Sequence, residues 1–125
     1  MLDHIGFTVS NLDAAKSFFA TALAPLGYEA LMDFEYEGTR HVGLGAGGKP
    51  DFWLQQGPAT TPHLHICFRA ETRAAVDAFY KAAIAAGGRD NGGPGLRPHY
   101  HPHYYGAFVF DRDGHNIEAV CHSPE

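Results

Sequence analysis

One strand, one helix and one histidine are written twice in this chain. The stretch "LDHIGFTVSNLDAAKSFFATALAPLGY" at residues 2–28 is answered by "LHICFRAETRAAVDAFYKAAIAAGG" at residues 64–88. Laid together without a gap, His65 falls on His4, Ile66 on Ile5 and Phe68 on Phe7. Further along, Ala75 falls on Ala14, Phe79 on Phe18, Ala83 on Ala22 and Gly88 on Gly27. Two copies of one unit must fold alike, so whatever the first copy forms, the second forms again.

The unit reads clearly. In "HIGFTV", Ile5, Phe7 and Val9 alternate with His4, Gly6 and Thr8, the period of a half-buried strand. Next, Ala15, Phe18, Phe19, Ala22 and Leu23 recur at helical spacing, as do Val76, Phe79, Tyr80, Ala83 and Ile84 in the copy. Asn11 and Thr72 stand at matching positions as amino-terminal caps. Gly27 and Gly88 stand where a helix closes in a left-handed residue.

After each unit come short strand-like pieces: 28–36, 40–45 and 51–56 in the first half, with turns at Gly38 and "GAGGKP". The second half has a weak strand after Gly88, then 104–110 and 115–121 joined by "DRDG". Residues 91–103, "NGGPGLRPHYHPH", are too rich in Gly and Pro for a regular element and read as a loop. The prediction is an α+β fold of two tandem βαβββ modules, helices outside and small mixed or antiparallel sheets inside. Module 1 covers about 1–58 and module 2 about 62–125, within a single domain of 125 residues.

A net charge of −5 argues against nucleic acid or an anionic membrane as partner, because both select basic faces. No apolar run approaches the length of a membrane span, and no signal-peptide pattern opens the sequence, so a cytoplasmic protein is expected. Cys67 and Cys121 lie in apolar strand-like stretches and are expected to be reduced. Histidine is the outlier with nine in the chain, those at 99, 101, 103, 115 and 122 crowding the last quarter.

If Ile5 and Phe7 face the helix, His4 faces the opposite, concave side, and His65 does so by the same logic. Glu118 in "HNIEAV" is the third group of this kind, with Ile117 and Ala119 on the packed face. Two imidazoles and one carboxylate suit a borderline divalent ion such as Zn, Ni, Fe, Mn or Co, with open positions for water or substrate. A lone strand histidine is more often a hydrogen-bonded structural residue than a ligand, and Glu118 alone could be an ordinary solvent-facing one. Recurrence of the histidine at one place in two copies is what raises the metal reading.

The twice-stated module, the opening "DHIGFTVSNLDAAKSFF" and "AFVFDRDGHNIEAV" near the end resemble the vicinal oxygen chelate superfamily. That group includes glyoxalase I, extradiol dioxygenases, fosfomycin-resistance transferases and bleomycin-resistance proteins. The resemblance implies two modules pairing their sheets into a cup around one divalent metal ion, in a homodimer. It implies His4, His65 and Glu118 as the metal ligands.

This chain departs from the pattern in two places. Glyoxalase I commonly has a fourth ligand, a glutamate, where the strand "DFWLQQ" carries Trp53; Gln55 on the same face could bind only weakly. Dioxygenases and fosfomycin transferases commonly place a tyrosine ten residues before the last glutamate, where this chain has Phe108. Near the metal, Tyr104 or Tyr105 is expected to point inward as a weak acid or orienting phenol. His101 and His103, with His99, are expected to border the substrate cavity, with their own metal binding as the alternative. Arg69 can pair with an anionic group of the substrate or with a surface carboxylate, and Trp53 can be a stacking wall or core.

Calcium is excluded at "DRDG", because His122 stands where the loop would need its glutamate. "GAGGKP" lacks the Ser or Thr of a phosphate-binding loop. The expected function is a metal-dependent, glyoxalase-like lyase or isomerase acting on a small molecule with vicinal oxygens. The alternatives are a dioxygenase or thiol transferase of the same kind, or a metal-free ligand-sequestering protein.

Overall fold

The computed structural model describes all 125 residues. Strand β1 (Ile5–Val9) leads to helix α1 (Leu12–Leu23), a 3-10 turn at Ala24–Leu26, and strands β2 (Glu29–Tyr36), β3 (Thr39–Ala46) and β4 (Lys49–Gln56). The second module repeats this with β5 (His65–Arg69), α2 (Arg73–Ala85), β6 (Arg89–Asp90), β7 (Gly95–Leu96), β8 (Tyr105–Phe110) and β9 (Asn116–Cys121). The strand–helix–strands unit expected from the repeat is present twice, as βαβββ in the first module and with one additional short strand in the second.

The sheets are mixed, in the orders β1-β4-β3-β2 and β5-β9-β8-β6, with β7 pairing β8. In each module the first strand joins the last in parallel, and the remaining pairs are antiparallel. That parallel pairing sets Cys67 opposite Glu118, one alternation from His65. Two details differ from expectation. The strand after Gly88 shrinks to two residues, and the Gly/Pro-rich segment contributes the two-residue β7.

Both helices start where the caps stand. The Asn11 side chain accepts from the Ala14 N–H and Thr72 from the Ala75 N–H, each at 3.1 Å. Gly27 closes the first helical segment at φ 87°, but in the second module Gly87, not Gly88, takes the left-handed role at φ 105°. Gly88 is small for a different reason. A Cβ there would lie 2.9 Å from the Ala83 carbonyl oxygen and 3.0 Å from the Phe18 ring, where the two modules press together.

The helices present Phe18, Phe19, Ala22, Leu23, Val76, Phe79 and Ala83 to one continuous core that both sheets floor. Each fully buried Phe or Leu there contributes about 1.5–3 kcal/mol. Edge-to-face aromatic contacts run from Phe19 through Phe52 to Phe68, at 5.0 and 5.2 Å, and so cross from one module to the other. Ile84, on the predicted apolar stripe, is exposed instead. Neither helix is long and apolar enough to cross a membrane. Because the packed faces are spent on this core, the opposite face of each sheet is left open.

Candidate functional site

Glu118 is the buried polar residue of that open side, only 1% exposed on β9. Its Oε1 accepts from His65 Nε2 at 2.7 Å, and its Oε2 accepts from the Tyr104 hydroxyl. His65, His99, Tyr100, Tyr104, Phe108 and Glu118 line an open cavity of about 530 Å³. Desolvation, then the bond to Glu118, raises the Tyr104 phenol above its ordinary range, so it stays protonated and donates. Cys67 shares this face. Desolvation and the Glu118 carboxylate push its thiol up to about 12, which keeps it neutral.

His4 lies on the other sheet, just before β1. Its Nδ1–H donates to Asp3 Oδ2 at 2.8 Å, and Lys49 reaches Asp3 Oδ1 at 3.1 Å. The His4 hydrogen bond, followed by Lys49, lowers the Asp3 carboxyl below the usual range. Nε2 of His4 is thereby left as the free ring nitrogen, the arrangement in which a carboxylate fixes the tautomer of a ligating histidine. His4 and His65 both line a cleft of about 410 Å³ between the modules. Within one chain, however, no group of three His, Cys, Asp or Glu side chains converges. His65 and Glu118 come together; His4 does not join them.

The remaining predicted residues separate by face. Tyr104 turns to Glu118, whereas Tyr105, one residue later on an alternating strand, donates to Asp77 of α2 at 2.6 Å. Tyr105 therefore leaves the candidate site. Arg69 is exposed and lies 3.7 Å from the Glu71 carboxylate, a surface pair. His101 and His103 do not reach Glu118. The His101 Nδ1 accepts from the His103 N–H at 3.0 Å, so its Nε2–H donates to His122 Nδ1 at 3.2 Å. This pair backs Tyr104 from behind, with the His122 ring edge-on at 5.3 Å. His99 and Tyr100, rather than His101 and His103, border the Glu118 cavity.

Trp53 sits opposite Gly6 on β1 and Gly43 on β3. Its indole lies over Gly43 and meets the Phe34 ring edge-on at 6.0 Å, while His41 stacks on Phe34 at 5.3 Å. These rings, with His4 and Lys49, line an open cavity of about 640 Å³. Gln55 pairs in register with Thr8 and His41, and the carboxylate of β4, Asp51, lines the His4 cleft while accepting from the Tyr28 hydroxyl at 2.8 Å.

His115 is the polar residue that sequence reading left unassigned. Fully buried, it accepts from the Leu64 N–H through Nδ1 at 2.9 Å, and its own N–H donates to Asp111 Oδ1 at 2.8 Å. It ties the start of module 2 to the β8–β9 turn and packs edge-on against Phe7 at 5.3 Å. The sequence signal that could have flagged it is alternation, since His115 stands two residues before Ile117 and four before Ala119, on the buried face they share.

A family model described as the glyoxalase/bleomycin resistance protein/dioxygenase superfamily matches residues 1–119. The chain belongs to this superfamily. A glyoxalase/bleomycin resistance protein from Albidiferax ferrireducens superposes with a TM-score of 0.75 at 25% identity, covering 97% of this chain and 98% of that one. The fosfomycin resistance protein FosX of Listeria monocytogenes gives a TM-score of 0.73 at 17% identity, over 98% and 93% of the two chains. A glyoxalase I variant from Zea mays gives 0.72 at 19% identity, over 95% of this chain and 43% of that one. Another FosX structure holds Mn(II) and 1S,2S-dihydroxypropylphosphonic acid. Among curated proteins, none matches the chain significantly.

Proposed function

We propose that this superfamily member is a metal-dependent, glyoxalase-like enzyme of the lyase or isomerase type, acting on a small molecule with two neighbouring oxygens. The observation that carries this reading is Glu118, a carboxylate buried on the open side of its sheet with His65 Nε2 at 2.7 Å. Such a donor set, completed by a second imidazole, fits one Zn, Ni, Fe, Mn or Co ion. His65 and Glu118 would hold it from one chain. His4, with Nδ1 fixed on Asp3, would reach it from a second copy in a homodimer, the two open sheet faces closing into one cup. When bound, the ion supplies Lewis acidity to the vicinal oxygens of the substrate.

The chain's own residues then set the chemistry. Trp53 walls the His4 side with an indole face. Tyr104, His99 and Tyr100 line the Glu118 side, and the Tyr104 hydroxyl is the proton-bearing group nearest the candidate ligands. With Trp53 at the fourth position, the carboxylates that line the His4 side are Asp3, held by His4 and Lys49, and Asp51, held by the Tyr28 hydroxyl, so each is already engaged rather than poised as a base.

A metal-free, ligand-sequestering role is the second reading, because both Glu118 oxygens already find partners within the chain. Mixing two ligand-deficient variants separates the readings. His4→Ala and His65→Ala chains should each lose metal alone, and regain a fraction of it when unfolded and refolded together. Metal retained by either variant alone would overturn the shared site.

A further inference from the structure

We infer that Tyr104 is a positioning residue that restricts Glu118 to ligation through a single oxygen, so that the second oxygen never competes with substrate for the ion. This rests on the metal reading above. The Tyr104 hydroxyl donates to Oε2, while Oε1 is the oxygen that meets His65. A carboxylate oxygen already accepting a hydrogen bond inside a buried site has one lone pair spent and its plane fixed.

The path by which the phenol arrives is particular to this chain. The register partner of Glu118 on β8 is Phe108, which has no hydroxyl to offer. Tyr104 instead stands just before β8 and folds its ring forward over Gly106. A Cβ at position 106 would lie 3.1 Å from Tyr104 Cε1 and 3.4 Å from Glu118 Oε2. The absence of a side chain there is what opens the route. The ring is also wedged, with Tyr100 at 4.9 Å and His122 at 5.3 Å, both steeply inclined to it. His122 is itself fixed by His101. A phenol held from three sides acts as a stop on the carboxylate rather than as a mobile acid.

The consequence for function is an added open position. With Glu118 giving one oxygen and two imidazoles giving one nitrogen each, the ion keeps room for both oxygens of a chelating substrate. Were Glu118 to swing to two-oxygen binding, one of those places would close.

Cobalt(II) loading tests this without reference to activity, since its visible absorption weakens as coordination number rises. Tyr104→Phe keeps the ring and removes only the hydroxyl. It should bind as much cobalt as the wild type but lose visible absorptivity severalfold. Gly106→Ala, with the tyrosine intact but displaced, should shift the spectrum in the same direction by less. Spectra of both variants identical to wild type, at equal cobalt content, would reduce Tyr104 to packing and overturn the proposal. Failure of the wild-type chain to take up cobalt would overturn the metal reading, and the proposal with it.

Discussion

Gly43 and Trp53 are direct partners across β3 and β4, and the indole of the second lies flat over the first. A Cβ on residue 43 would come within 2.8 Å of Cη2 and Cζ3 of the ring. The glycine is thus a seat for the aromatic wall of the His4 side, and its conservation of space, not backbone freedom, is what the site uses.

Gly43→Ala should therefore tilt the indole off the sheet into the open cavity beside it, at little cost to the fold, since the atoms the methyl would meet are the outer end of the Trp53 side chain. Trp53 is the single tryptophan of the chain, so its emission reports this seat alone. The expected result is a shifted emission maximum with the melting temperature nearly unchanged. An unchanged emission spectrum would mean the ring is not seated as described.

Asp33 on the helix-facing side of β2 accepts from Arg40 and Lys16, with Arg40 Nη2 at 2.8 Å and Lys16 Nζ at 2.7 Å. The Arg40 hydrogen bond, followed by that of Lys16, holds its carboxyl well below the usual carboxylate range. A depressed folded-state value contributes stability above the unfolded carboxylate pKa and loses it as pH falls further. Asp33→Asn should accordingly lower the melting temperature slightly near neutral pH, with the difference vanishing in strong acid. Being a largely exposed pair, it should also fade in about 1 M salt. A difference that grows on acidification would contradict the assignment.

Most of the frame was legible because the repeat carries it: two helices with their caps, the strand alternation and the burial of Phe18, Phe19 and Phe79 all follow from spacing within one copy. What spacing could not supply was anything set by contacts between elements. Gly88 looked like a helix terminator and is a packing glycine against Phe18; Gly87 does the terminating. Tyr104 and Tyr105 were equivalent in sequence until the register of β8 sent one to Glu118 and the other to Asp77. His4 is the instructive case. Alternation puts it on the open face, but which sheet that face meets depends on how modules pair, and no period within a strand encodes that.

At the fourth position, Trp53 stands opposite Gly6, two residues along the same face from His4. A carboxylate there would sit beside the candidate ligand and serve both as ligand and as base. Native turnover of the methylglyoxal–glutathione adduct by the metal-loaded protein is expected to be weak, and Trp53→Glu is expected to raise it. Robust native turnover that the substitution fails to improve would show that position 53 does not govern the base.

The central claim is that Glu118 is the anionic ligand of one divalent ion per chain. Glu118→Gln keeps the shape of the buried side chain and its contacts with His65 and Tyr104 while removing the charge. The fold should persist, because the helix-packed core does not include this face. Metal affinity should drop by more than the roughly 10–100-fold that loss of an outer-shell partner costs. Elemental analysis after metal loading and desalting should find one ion per wild-type chain and next to none in the variant. Equal metal in the two proteins would contradict the account.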